Sequence, residues 1–164
     1  MSNKQVYRYE DIREKILHAV DTIADPVRQT LSPKGANVIF EDGIGSQVES
    51  NDGVSIARVI SVKDPVENAI IEIIKGAALK TNAEAGDGTT TAILLSQVLI
   101  KSGLSLIADG WNPTDLKKEL NKFGEKIKAK IKKNVIKISG DNDLEHIALV
   151  SSSGEMGVAK DVVK

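Results

Sequence analysis

Six consecutive residues, Gly86-Asp87-Gly88-Thr89-Thr90-Thr91, combine what a phosphate-binding turn needs. The glycines let the backbone come close to an anion, and the threonine hydroxyls can donate to its oxygens. The segment stands where a loop hands over to a predicted helix, whose first N–H groups and dipole favour negative charge. Asp87 is a hard oxygen donor of the kind that suits the magnesium accompanying nucleotides. The same residues also read as a capping loop, in which Asp87 or Thr89 caps the helix and the glycines serve the turn.

Two further segments carry comparable chemistry. Thr30-Leu31-Ser32-Pro33-Lys34-Gly35 is a helix-to-strand turn able to offer backbone amides and a hydroxyl to a phosphate. It reads equally as a helix stop with proline and glycine in their usual places. Asn51-Asp52-Gly53 sets a carboxylate in a tight turn, where Asp52 could orient or deprotonate a water attacking a terminal phosphate. A plain hairpin turn is the other reading. None of these loops fits the G-x-x-x-x-G-K-[ST] pattern, which argues against an ordinary P-loop.

The elements that must position these loops are mostly helical. Apolar residues at Ile12, Ile16, Ala19, Val20, Ile23, Ala24, Val27 and Leu31 form one helical face over Glu10 to Leu31, and Pro26 inside it predicts a kink or break. Asn37–Phe40 and Gln47–Ser50 predict a hairpin around the turn Asp42-Gly43. A second helix is expected from Pro65 to Asn82, with Val66, Ile70, Ile73, Ile74 and Ala77 on one side. Thr89 to Ala108 predicts a nearly all-apolar helix, which belongs in the middle of a bundle. Asn112-Pro113 starts a fourth helix running to Lys133, and shorter helices follow from Asp143 to Val150 and from Glu155.

Composition bounds the rest. With 164 residues, 41% hydrophobic and only 3% aromatic, the chain has an aliphatic core sufficient for one domain with a small appendage. The 22 basic residues balance 23 acidic ones, so no general pull toward nucleic acid or anionic membrane is expected. Nine lysines from Lys117 to Lys137 lie beside the apolar stripe Leu116, Leu120, Phe123, Ile127 and Ile131 and read as a solvated face. The absence of cysteine removes disulfides and thiolate chemistry, and the isolated His18 and His146 speak against zinc. The start of the chain has no apolar signal region and no apolar run approaches the roughly 18 residues of a membrane span, so a soluble, cytoplasmic protein is expected.

Taken in chain order, Thr30 to Gly35, Asn51-Asp52-Gly53-Val54-Ser55-Ile56-Ala57-Arg58, Glu67-Asn68, Gly86 to Ala92 and Gly110-Trp111-Asn112-Pro113-Thr114-Asp115-Leu116-Lys117 closely resemble the amino-terminal region of the GroEL-type chaperonins. The resemblance covers essentially the whole chain. It implies a mainly α fold: residues 1–134 as the first part of an equatorial ATP-binding domain, a helical bundle with a small β-hairpin, and 135–164 as the start of an intermediate domain. It also implies that Thr30, Leu31 and Pro33, with Ser32 among them, line ATP. Gly86, Asp87, Gly88, Thr89, Thr90 and Thr91 would then hold its phosphates, Asp87 would bind Mg2+, and Asp52 would assist hydrolysis.

For the complete protein the resemblance implies a homo-oligomeric ring that folds other proteins by ATP-driven cycling. A co-chaperonin and unfolded polypeptides would be engaged through regions outside these residues, and a second hydrolytic aspartate would lie in a later return segment. Two positions depart from the family pattern. Ser32 stands where glycine is usual, and Asn51 stands where GroEL-type members usually have lysine, although the archaeal and eukaryotic class is similar to this chain at Asn51-Asp52-Gly53. An assembly or regulatory protein that keeps the fold without hydrolysing ATP is the alternative.

Overall fold

The computed structural model describes residues 6–31, 36–41, 45–152 and 154–163. They form seven helices and a two-stranded sheet, in two compact units, 1–113 and 114–164. The mainly helical fold expected from the sequence is present.

In the first unit, α1 (Tyr9–Gln29) runs without a break through Pro26. An interior proline costs about 3 kcal/mol. Ile23, Ala24 and Val27 around it are completely buried, and burying large aliphatic side chains returns roughly 1.5–3 kcal/mol each. Tertiary packing therefore carries the helix across the proline. The hairpin follows: β1 (Val38–Glu41) pairs antiparallel with β2 (Gln47–Ser50) in the register Val38 to Ser50 and Glu41 to Gln47. The expected turn Asp42-Gly43 lies outside the described residues.

Where the sequence predicts only a turn, a short helix α2 (Gly53–Val59) begins immediately after β2, buried through Gly53, Val54, Ile56 and Ala57. Helix α3 (Pro65–Ala85) has Pro65 in its first turn, and the Asp64 carboxylate accepts from Val66 N–H at 2.9 Å and Glu67 N–H at 3.1 Å. Its core face differs from the predicted one. Ile71, Ile74 and Ala78 are buried, whereas Ile73 is 74% exposed and Ala77 is also exposed. The run Ile70-Ile71 and Ile73-Ile74 offers two apolar stripes one residue apart, about 100° around the helix, and periodicity cannot choose between them.

Helix α4 (Thr89–Ala108) has the predicted limits. It is not buried all round, however: Ile93 and Gln97 are inside, and Leu95, Val98 and Leu99 are at least half exposed. By length and composition alone it could cross a membrane, contrary to the expectation that no segment is long enough. Its polar contacts belong to a bundle instead, since Gln97 and Lys101 bond to charged groups of α1 that would be costly in hydrocarbon. The first unit's core gathers Ala19, Val20, Ile23, Ala24 and Val27 of α1 with Ile56, Ile71, Ile74 and Ile93.

The second unit holds α5 (Pro113–Lys133), α6 (Asp141–Ser151) and α7 (Met156–Val163). The predicted boundary near Asn134 falls in the non-helical stretch between α5 and α6. Lysines of α5 pair within the helix, Lys118 with Asp115, Lys122 with Glu119 and Lys128 with Glu125, each three residues apart. Such exposed pairs contribute only a few tenths of a kcal/mol. Helices α6 and α7 pack as a hairpin with Ala148 and Ala159 buried. Ser139 donates its N–H at 2.9 Å and its hydroxyl at 2.8 Å to Asp143 at the start of α6.

Candidate functional site

The directions of three helices decide which loops meet. Lys15 pairs with Asp64 and His18 with Glu67 at 2.9 Å, so α1 and α3 run parallel. Asp21 pairs with Lys101 while Arg28, further along α1, pairs with Gln97, so α4 runs antiparallel to α1. The carboxy ends of α1 and α3 and the amino end of α4 therefore share one end of the bundle. Thr30, at the end of α1, and the Gly86–Thr91 loop lie on that end. Glu67-Asn68 and Gly110-Trp111, from the other matching segments, lie at the opposite end.

The Gly86–Thr91 loop is made by glycine. Gly86 caps α3 in the left-handed region at φ 71° and Gly88 precedes α4 at φ 84°, conformations that cost other residues about 1–2 kcal/mol. The chain thereby reverses within three residues. No side chain caps α4, so the capping alternative for Asp87 and Thr89 is not the arrangement found. Asp87 and Thr91 are exposed, Thr90 is half-buried and Thr89 is buried. The first-turn N–H groups of α4 form a donor set without a carboxylate of their own, unlike those of α2 and α3.

Asp52 arrives from the other side. Strand β2 delivers it to the amino end of α2, where its carboxylate accepts from Val54 N–H at 3.2 Å, Ser55 N–H at 3.0 Å and the Ser55 hydroxyl at 2.7 Å. Burial alone would raise this carboxyl, but the Ser55 hydroxyl, the two N–H groups and the Arg58 charge outweigh it and hold the group below the usual carboxylate range. Asp52 is thus a fixed, ionised oxygen pair. It suits orienting a water better than removing a proton from one.

Gly53 brings Asp52 to the loop. A Cβ on Gly53 would lie 2.3 Å from Thr90 Oγ1 and 3.3 Å from Thr90 Cα, so α2 and α4 meet amino end to amino end at backbone distance. Sequence reasoning missed α2 and with it Ser55 as a partner of Asp52. The available signal was Asp52 as a helix cap ahead of Val54 and Ala57, three residues apart.

At the end of α1, Thr30 donates its hydroxyl to the Val27 carbonyl at 2.8 Å, and Leu31 is 56% exposed. The Ala36 N–H returns to the Gln29 carbonyl at 3.1 Å, closing the base of the turn. Ser32 and Pro33 lie outside the described residues. Among the described residues no three histidine or carboxylate side chains gather as a metal cage. Mg2+ bound with a nucleotide takes most of its ligands from phosphate and water, so the single exposed carboxylate of Asp87 beside the α4 donors is a fitting protein contribution.

Residues 23–163 match the TCP-1/cpn60 chaperonin family. The chain belongs to that family. This chaperonin chain is 43% identical over 147 residues to chaperonin GroEL 1 from two strains of Corynebacterium glutamicum, covering 90% of this chain and 27% of each relative. It also superposes on a group III chaperonin solved in the open state with a TM-score of 0.78 and 28% identity, over 93% of this chain and 30% of that one. The chaperonin chain thus spans less than a third of the length of these relatives.

Proposed function

We propose that this chain is the ATP-binding segment of a chaperonin that assists protein folding through ATP-driven cycling of a homo-oligomeric ring in the cytoplasm. Residues 1–134 act as the first part of the equatorial domain and 135–164 begin the intermediate domain. The reading is carried by the meeting of two helix amino ends at Gly53 and Thr90, which puts an ionised, fixed carboxylate beside an uncapped anion-binding turn.

In this reading the N–H groups and hydroxyls of Thr89, Thr90 and Thr91 hold the phosphates, and Gly88, whose N–H donates to the Asp87 carboxylate at 2.5 Å, lets the backbone come close to them. Asp87 ligates Mg2+, which when bound neutralises developing phosphate charge. The exposed apolar Leu31, with Thr30, Ser32 and Pro33, lines the nucleoside. Asp52 orients the attacking water, its lowered pKa keeping it ionised throughout neutral pH. Co-chaperonin and unfolded polypeptides are engaged by parts of the full-length protein outside the stretch shared with this chain.

The test is calorimetric titration of Mg-ATP into the full-length protein, with steady-state phosphate release, for wild type and Asp52→Ala. Retained binding with hydrolysis reduced about a hundredfold or more in the variant is expected. Binding without hydrolysis in the wild type would favour the assembly role, and absence of binding would remove the nucleotide site.

A further inference from the structure

Gln97 is 1% exposed, the most deeply buried polar side chain among the described residues, beside an aliphatic cluster. A primary amide there is costly unless both its ends are satisfied, and both are. Its oxygen accepts from Arg28 of α1. Its nitrogen donates to Asp21 at 2.6 Å and to Asp25 at 3.2 Å, on the preceding turns of the same helix. Lys101, one turn along α4, pairs with Asp21 at 2.6 Å. The orientation of the amide is dictated by chemistry, because guanidinium only donates and ionised carboxylates only accept. Burial would raise the Asp21 carboxyl, but Lys101 and Gln97 hold it low and ionised.

The surrounding contacts of Ile23, Ala24, Val27 and Ile93 are non-directional and tolerate a small slide of one helix along the other. The amide does not, since its partners span Asp21 to Arg28 on α1 and each bond has a direction. Helix α1 ends one residue beyond Arg28, at Gln29, and leads directly into Thr30-Leu31, while α4 begins about two turns before Gln97, at the Gly88–Thr91 donors.

We infer that Gln97 is a positioning residue: with Arg28, Asp21 and Asp25 it fixes the register of α1 on α4, and so the height of the Thr30-Leu31 turn over the phosphate-binding end of α4. The inference rests on the nucleotide reading above for its functional consequence, and on the polar network alone for its structural one.

The experiment uses the full-length protein with Gln97→Met, which keeps size and removes both hydrogen-bonding ends, Gln97→Glu, which keeps the acceptor for Arg28 but turns a third carboxylate toward Asp21 and Asp25, and the double variant Gln97→Glu/Asp21→Asn, which restores a donor opposite the new acceptor. Mg-ATP affinity, KM and kcat for hydrolysis, melting temperature and amide exchange at Leu31 and Ala36 are read together. Gln97→Met is expected to weaken Mg-ATP binding about tenfold, raise KM more than it lowers kcat, and speed exchange at Leu31 and Ala36. Gln97→Glu should be worse, and the double variant should recover affinity to within about threefold of wild type. Variants that melt lower but keep wild-type affinity, KM and exchange would reduce Gln97 to a stability role and overturn the inference. If the wild type itself binds no Mg-ATP, the nucleotide reading fails; faster exchange at Leu31 and Ala36 in Gln97→Met would then still uphold the register, and unchanged exchange would overturn it.

Discussion

Gly53 and Thr90 touch: nothing larger than hydrogen fits on the Gly53 α-carbon without meeting the Thr90 hydroxyl at 2.3 Å. The contact joins β2 and α2, which carry Asp52, to the loop that carries Asp87. Because Gly53 has an ordinary negative φ, its smallness serves this approach and not the backbone conformation.

Gly53→Ala should therefore destabilise the protein by about 1–3 kcal/mol, as overpacking does, and Gly53→Ala/Thr90→Ala should recover part of that loss by removing the closest atom. Urea unfolding of the full-length protein and its variants measures both. A Gly53→Ala protein within about 0.5 kcal/mol of wild type would show that the two amino ends can separate freely.

Acid should weaken the start of α2 in a defined window. The folded-state carboxyl of Asp52 is lowered, so its contribution is complete above the unfolded value of about 3.9 and disappears as pH falls through the lower folded value. Asp52→Ala should cost about 1 kcal/mol at pH 7 as a lost helix cap, the same at pH 5, and progressively less below pH 4. Denaturation curves of both proteins across this range decide it; a gap between them that widened on acidification would contradict the assigned direction.

The proposed phosphate site makes opposite predictions for Asp87 and Asn51. Asp87→Ala removes the proposed magnesium ligand and should weaken Mg-ATP binding in the full-length protein about tenfold or more. Asn51→Lys adds a cation next to Asp52 and should strengthen binding or hydrolysis. Titration with and without magnesium separates the effects, since the first should vanish when magnesium is chelated. Loss of activity in Asn51→Lys would mean that the site is tuned around asparagine.

A polypeptide of these 164 residues alone should associate with itself and turn over ATP little or not at all. Leu95, Val98 and Leu99 of α4 and Ile73 and Leu79 of α3 are exposed, and clustered apolar surface drives association. Asp52 is also the only hydrolytic carboxylate proposed within it. Sedimentation velocity should show species heavier than the monomer. Steady hydrolysis by this polypeptide, abolished by Asp52→Ala, would show that the site is complete within it.

The limits of α4 and β2 were legible in the sequence because they are set locally. Gly86 and Gly88 both take the left-handed conformation that other residues adopt only at a cost and so set the turn ahead of α4, β2 alternates between turn residues, and Pro65 after Asp64 starts α3 by its own geometry and cap. The three candidate loops could be picked out for the same reason, since glycine, threonine and aspartate announce turns and anion-compatible groups by type. What the tertiary structure decided is everything that compares two distant segments. Only packing chose Ile71 over Ile73 for the core, carried α1 through Pro26, and spent the buried amide of Gln97 on Arg28, Asp21 and Asp25. Only packing drew Gly53 against Thr90. An apolar stripe or a capping aspartate specifies what a segment can offer, while the partner that accepts it is fixed by the summed burial of the whole unit, which no local window contains.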